Sequence, residues 1–258
     1  MKQLAYTDGI YRTDPGRVSL CARMFPSLTF YRRFCSIIWR ASVKAKRGKY
    51  DSAAWAESSF NVFRALESVG VGIDIEGIER FQRLQTPCVV IANHMSVLET
   101  VLLPVILQPV RPVTFIVKES LLTYPIFSHI MRSRDPIAVT RTNPRQDLKA
   151  VIEGGTDRLG RGISIIVFPQ TTRTVAFDPA QFSTIGVKLA ARAKVPIVPL
   201  AVRTDAWSNG NRLKDFGPID PKKPVHFSFG EPIQVEGRGT EEHQAVIQFV
   251  EEQLQKWQ

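Results

Sequence analysis

Cysteine is scarce in this chain, with Cys21, Cys35 and Cys88 the only three among 258 residues. Their number is odd and no CxxC pair exists, so neither a disulfide framework nor a zinc site is expected. A reducing, cytoplasmic setting is the plain reading. Long apolar runs are also missing. The best stretch, Val97 to Leu107, is short and carries Glu99 and Pro104, so any membrane contact should be peripheral. The opening MKQLAYTDGIYRTDPGR lacks an apolar core, and no secretory signal is expected. There is no internal repeat and no low-complexity linker. A basic stretch, RASVKAKRGK at 40–49, comes without any helix-turn-helix, zinc-finger or aromatic RNA-binding signature, which argues against a nucleic-acid module.

What the chain does have is positive charge. Thirty-four basic against twenty-four acidic residues give a net charge of +10, a balance that favours an acidic partner, nucleic acid or anionic lipid. Apolar residues at 44% are enough for a sizeable core, so disorder is not indicated.

Residues 1 to 27 read as an irregular leader. From Leu28 to Lys46 the pattern is helical, with Phe30, Phe34, Ile37, Ile38 and Ala41 on one face and Arg33, Ser36, Arg40, Lys44 and Arg47 on the opposite one. Such a segment suits either an interfacial helix on anionic lipid or a helix packed on the core with a solvated basic face. A second helix is expected from Ser52 to Ser68, closed by Gly70 and Gly72.

Beyond that point strands and helices alternate. Cys88 to Ala92, Val113 to Val117, Pro136 to Thr140, Ile163 to Phe168 and Ile197 to Val202 are short apolar runs, and VHFSF at 225–229 adds an alternating, edge-like strand. Near-continuous Val and Ile indicate strands buried on both faces. Helices are expected from Asn143-Pro144, over about Thr184 to Lys194, and from near Thr240. The predicted architecture is α/β, a mixed, largely buried sheet flanked by helices over 70–258, with a helical N-terminal attachment over 1–69.

The densest chemical signal is VIANHMSVLE, Val90 to Glu99. A buried strand delivers Asn93 and His94 to its carboxyl end, where ligands bind in open α/β sheets. Imidazole there can act as general base if a carboxylate holds its other nitrogen. Residues five apart in one helix lie roughly 140° apart, so the pair works only if His94 precedes the helix and Glu99 lies a turn inside it. Spacing alone does not decide, because His226 and Glu231 repeat it in a strand and turn that would not orient the pair. His226 is therefore read as structural, and His129 and His243, without such a carboxylate, as helix-surface or core residues. The second block is FPQTTRT, Phe168 to Thr174, again at a strand end. Its Arg173 is a phosphate candidate, since the guanidinium fork matches two oxygens at once.

Together these blocks resemble the glycerophospholipid acyltransferase family, the lysophosphatidate and lysophospholipid acyltransferases. NHMSVLE is similar to that family's HX4D/E motif and FPQTTRT to its FPEGTRS block, in the same order. FIVKESLLTYPIFSHIMRSRDPIAVTR, Phe115 to Arg141, resembles the second motif, with Lys118 and Arg141 at the basic positions. VPIVPLAV, Val195 to Val202, resembles the fourth. GIDIEGIERF and FGEPIQV also fit, and the likeness runs from roughly Gly70 to Val235.

The resemblance implies acyl transfer to a lysolipid hydroxyl without an acyl-enzyme. His94 would be the base and Glu99 its orienting carboxylate, while Arg173, Lys118 and Arg141 would hold the acceptor phosphate. Asn93, Ser96, Pro169, Gln170, Thr171 and Thr172 would support the motifs. No metal or cofactor is implied; acyl-CoA or acyl carrier protein is the co-substrate, and an anionic membrane surface, approached peripherally from the cytoplasmic side, is the further partner. Two departures bear on this. Glu99 replaces the commoner Asp, and Gln170-Thr171 replaces Glu-Gly, exchanging a carboxylate for an amide and a glycine for a β-branched residue. These leave open another acceptor lipid, or a non-catalytic lipid-binding relative.

Overall fold

A computed structural model describes residues 3–14, 16–210 and 214–258. Among them eight strands form one sheet: β1 (Tyr11–Arg12), β2 (Ile73–Glu76), β3 (Val89–Ala92), β4 (Val113–Lys118), β5 (Ile137–Val139), β6 (Ser164–Val167), β7 (Ile197–Arg203) and β8 (Val225–Phe229). Their order is β1-β2-β8-β7-β3-β6-β4-β5. The five strands from β7 to β5 run parallel, β8 is antiparallel to β7, β2 is parallel to β8, and β1 is antiparallel to β2. The mixed, helix-covered sheet expected from the apolar runs is the one observed.

The helices are α1 (Leu20–Met24), α2 (Pro26–Lys46), α3 (Ser52–Glu67), α4 (Ile78–Gln82), α5 (Leu98–Leu107), α6 (Phe127–Arg132), α7 (Pro144–Gly160), α8 (Ile185–Ala193) and α9 (Thr240–Lys256). Strand alternation divides the core into two layers. Val90 and Ala92 of β3 pack on the side of α2, α3 and α5, whereas Val89 and Ile91 pack on the side of α7, α8 and α9. Each fully buried Val or Ile contributes about 1.5–3 kcal/mol of transfer free energy, so β3 is fixed from both faces. Gly186 allows the start of α8 to close on it, because a Cβ there would lie 2.8 Å from the Ile91 side chain.

Three expectations are corrected by the packing. The leader is not wholly irregular, since Tyr11 and Arg12 pair with Ile75 and Asp74 and the leader holds α1 as well. The division at residues 69 and 70 does not mark a break, because one apolar cluster runs from Leu4 through Phe30 and Phe63 to Phe229.

The third correction concerns α2. Its Phe30 and Phe34 are buried, each with a ring centroid 5.0 Å from Trp207, so the apolar face rests on protein. The basic residues do not lie opposite that face. Arg32, Arg33 and Arg40 line a groove shared with Arg64 of α3, and Lys44 pairs with Glu57 of α3 at 3.7 Å. By the 3.6-residue repeat the outward pole is Leu28, Arg32, Cys35 and Trp39, and all four are exposed. No helix among the described residues is long and apolar enough to cross a membrane.

Candidate active site

Because β3, β4, β5, β6 and β7 are parallel, their carboxyl ends share one edge of the sheet. His94 follows the end of β3, and Glu99 lies in the first turn of α5. The condition set by the five-residue spacing is met. His94 Nδ1 lies 2.8 Å from Glu99 Oε1. An ionised carboxylate accepts only, so Nδ1 carries the proton and Nε2 is left with its lone pair. The ring stacks on Phe168 at 4.4 Å between centroids, and Phe168 stacks in turn on Phe115 at 6.1 Å.

Glu99 is completely buried and its oxygens are saturated. The Met95 and Ser96 amides donate to Oε1 at 2.8 and 3.0 Å, and the Thr204 hydroxyl donates to Oε2 at 2.6 Å. Burial pushes the carboxyl up, but the His94 hydrogen bond and charge, Thr204 and the Ser96 amide together hold it below its ordinary value. A negative charge at the amino end of α5 is favoured by the helix dipole as well. Ser96 completes the turn, its hydroxyl 3.0 Å from Glu99 Oε2 and accepting from the Leu98 amide. Asn93 mimics a strand, with Nδ2 donating to the Val202 carbonyl and the Val202 amide donating to Oδ1, both at 2.8 Å.

The second block grips the His94 backbone from both sides. The His94 amide donates to Gln170 Oε1 at 2.6 Å, and the Thr174 amide donates to the His94 carbonyl at 3.0 Å. Gln170 is buried, and its amide oxygen serves the loop beneath the histidine as an acceptor. Thr171 is exposed and is absent from the residues with positive φ, so glycine's freedom is not required there. Pro169 is buried; Thr172 is exposed.

Positive φ falls instead on Arg141, at 63°. A non-glycine residue there costs roughly 1–2 kcal/mol, and Asp147 offsets it by accepting the Thr140 and Arg141 amides at 2.7 Å each. The Arg141 guanidinium donates to the Thr171 carbonyl, bringing the end of β5 to the second block. Burial lowers the Arg141 pKa, and the like charge of Arg173 adds to the effect, so the two cations are neighbours. Arg173 donates from Nη2 to Asp215 Oδ1 at 2.5 Å. Lys118 ends β4, exposed and without an ion pair among the described residues.

The second histidine–glutamate pair of the same spacing is taken apart by the fold. His226 stacks on Trp257 at 5.0 Å and faces Asp74 at 3.4 Å, whereas Glu231 pairs with Arg80 at 3.0 Å and with Arg83. His129 lies exposed on α6 and His243 buried on α9. All three cysteines are free and stand outside these contacts, and burial raises the Cys88 thiol to about 11. Sequence reasoning missed Thr204, Asp147 and Asp215. Thr204 lies two residues past VPIVPLAV, so its nearness to that strand is the signal in the sequence.

The fold and this constellation can be set beside known proteins. A family model described as Acyltransferase matches residues 72–203, half of the chain. The chain belongs to the acyltransferase family. Among curated proteins, the 1-acyl-sn-glycerol-3-phosphate acyltransferase of Pseudomonas aeruginosa is 28% identical over 155 residues, 60% of this chain and 58% of that one. A probable 1-acyl-sn-glycerol-3-phosphate acyltransferase of Mycoplasma pneumoniae is 34% identical over 116 residues, 44% of this chain and 43% of that one. The chain thus spans about half the length of the curated relatives it matches. The crystal structure of the 1-acyl-sn-glycerophosphate acyltransferase PlsC from Thermotoga maritima superposes with a TM-score of 0.63 at 22% identity, covering 91% of this chain and 95% of that one. At that identity the likeness concerns the fold alone.

Proposed function

We propose that this protein transfers a fatty acyl chain from acyl-CoA or acyl carrier protein to the hydroxyl of a 1-acylglycerol-3-phosphate-type lysolipid, with His94 as general base. The observation that carries the reading is the His94–Glu99 pair, 2.8 Å apart at the carboxyl end of a buried strand, with Nε2 left free. Nε2 takes the proton of the acceptor hydroxyl as its oxygen attacks the thioester carbonyl. The tetrahedral intermediate collapses by breaking the carbon–sulfur bond, and the imidazolium returns the proton to the departing thiolate. Glu99 holds the tautomer and balances the imidazolium charge throughout. Arg173 and Arg141, with Lys118 at the end of β4, are the cations assigned to the acceptor phosphate.

The test is turnover of radiolabelled acyl-CoA with 1-acylglycerol-3-phosphate by purified protein. His94→Ala should lose about 10²- to 10⁴-fold, the contribution of a positioned base, with the fold intact by circular dichroism. His226→Ala, which breaks the same spacing elsewhere, should keep most of the activity. Equal damage from both would sink the assignment.

Peripheral attachment to the cytoplasmic face of an anionic membrane is part of the same proposal, with the contact surface moved. It is supported by a run of exposed apolar side chains, Leu20, Met24 and Phe25 with Leu28 and Trp39. They lie on α1 and α2 or between them, and Arg32, Arg33 and Arg40 of α2 form with Arg64 a groove of about 400 Å³. Each basic side chain near anionic lipid adds about 1 kcal/mol. Co-sedimentation with phosphatidylglycerol vesicles should therefore fall when Arg32 and Arg40 are reversed to Glu.

A further inference from the structure

Arg173 is not free in the folded chain. One terminal nitrogen, Nη2, donates to Asp215 Oδ1 at 2.5 Å, the two side chains being 19% and 34% exposed. Nε and Nη1 have no partner among the described residues and are not sealed from solvent. A guanidinium presents two parallel donors to two oxygens of a phosphate. Held through one Nη2 hydrogen, it keeps its other N–H donors, including the second hydrogen of Nη2, for that purpose.

Asp215 is itself held. Its segment joins β7 to β8, and Asn209 on one side donates to the Met95 carbonyl at 3.1 Å, next to His94. On the other side the Tyr31 hydroxyl of α2 donates to the Gly217 carbonyl at 2.5 Å, and the Ile219 amide donates to Ser27 Oγ at 2.9 Å. Phe216 packs on Tyr31 at 5.9 Å between ring centroids. The described residues on either side of the carboxylate thus hold to the histidine loop and to α2.

We propose that Asp215 is a positioning residue that holds one Nη2 hydrogen of Arg173 and so fixes the guanidinium with its remaining N–H donors facing the phosphomonoester of the acceptor. The inference rests on the acceptor reading given above and adds a residue to it. Orientation matters here because Arg141, the neighbouring cation, is already committed to the Thr171 carbonyl through Nη1. A phosphomonoester carries about −1.5 to −2 at neutral pH, and two guanidinium groups can share it only if both are held in place. A free arginine side chain would have to lose about 2 kcal/mol of rotamer freedom on binding.

Asp215→Asn should raise the acceptor KM about two- to fivefold, the span a partly exposed ion pair is worth. The donor KM should not move. Acting through Arg173, the change should add nothing in an Arg173→Ala background, so the double-mutant cycle gives a coupling equal to the single effect. A purely structural carboxylate would instead lower kcat and act additively. A fall in acceptor KM would show Asp215 to be a competing counter-ion and overturn the proposal, as would no change.

Calorimetric binding of glycerol 3-phosphate separates this inference from the reading beneath it. Weaker binding by Asp215→Asn in a protein that transfers no acyl group would leave the positioning role standing and remove the catalytic one. Active protein whose headgroup binding and acceptor KM ignore Asp215 would remove the positioning role alone.

Discussion

Thr204 and Arg173 illustrate how single residues divide the labour at this site. The Thr204 hydroxyl supplies one of the hydrogen bonds that keep Glu99 ionised while wholly buried. Thr204→Val preserves shape but leaves a buried carboxylate oxygen short of a partner, which costs about 1–3 kcal/mol. The midpoint of thermal unfolding at neutral pH should drop accordingly, and the Glu99 carboxyl should rise toward its ordinary value. Arg173→Lys tests the fork rather than the charge. A lysine cannot hold Asp215 and present two parallel donors at once, so the acceptor KM should rise and the donor KM stay put; a defect confined to the donor would move Arg173 to the donor's side. His94 and Glu99 were legible because five residues of chain set their geometry. Thr204 and Asp215 were not, because they reach the site only through β7, whose place beside β3 is a long-range consequence of sheet order.

Helix α2 shows the same limit at the scale of an element. Its period is local and its bounds are nearly those read from the pattern, but which face meets what depends on Trp207 arriving from a distant loop. Sequence pattern also passed over β1 and β2. A two-residue strand has no period of its own, and IDIE alternates over only four residues, so pairing with β8 is what makes β2 a strand. The corrected faces of α2 give opposite expectations for two aromatic residues. Phe30→Ala should cost about 3–5 kcal/mol, as for other buried phenylalanines, measured by urea unfolding. Trp39→Ala should leave stability within about 0.5 kcal/mol, as at other surface sites, yet weaken co-sedimentation with anionic vesicles. Undiminished vesicle binding by Trp39→Ala would take the outward pole of α2 off the membrane.

Across the whole molecule, two histidines away from the site tie folding to pH. Burial lowers the His226 pKa. Asp74 and Glu76 oppose that shift, and Arg203 and Arg12 reinforce it. Burial also lowers His243 on α9, against a hydrogen bond that its ring donates to the Phe182 backbone carbonyl. In the unfolded chain both titrate near 6.5, so as pH falls the unfolded state takes up protons first and stability declines. Their contribution is complete above about pH 6.5 and is lost as pH drops through the lower folded values. Glu99 and Asp147, where burial is outweighed by hydrogen bonds and the carboxyls stay below their ordinary values, add a second loss only at more acid pH, below about 4. Thermal unfolding followed by circular dichroism should therefore show a midpoint that is level near pH 7.5, falls on approaching pH 5, and falls again below about pH 4. The net charge of +10 adds repulsion on acidification, so a control is needed. Replacing His226 and His243 with Gln should flatten the first decline and spare the second. A wild-type midpoint that stays level from pH 7.5 to 5 would mean that neither histidine is held neutral by the fold.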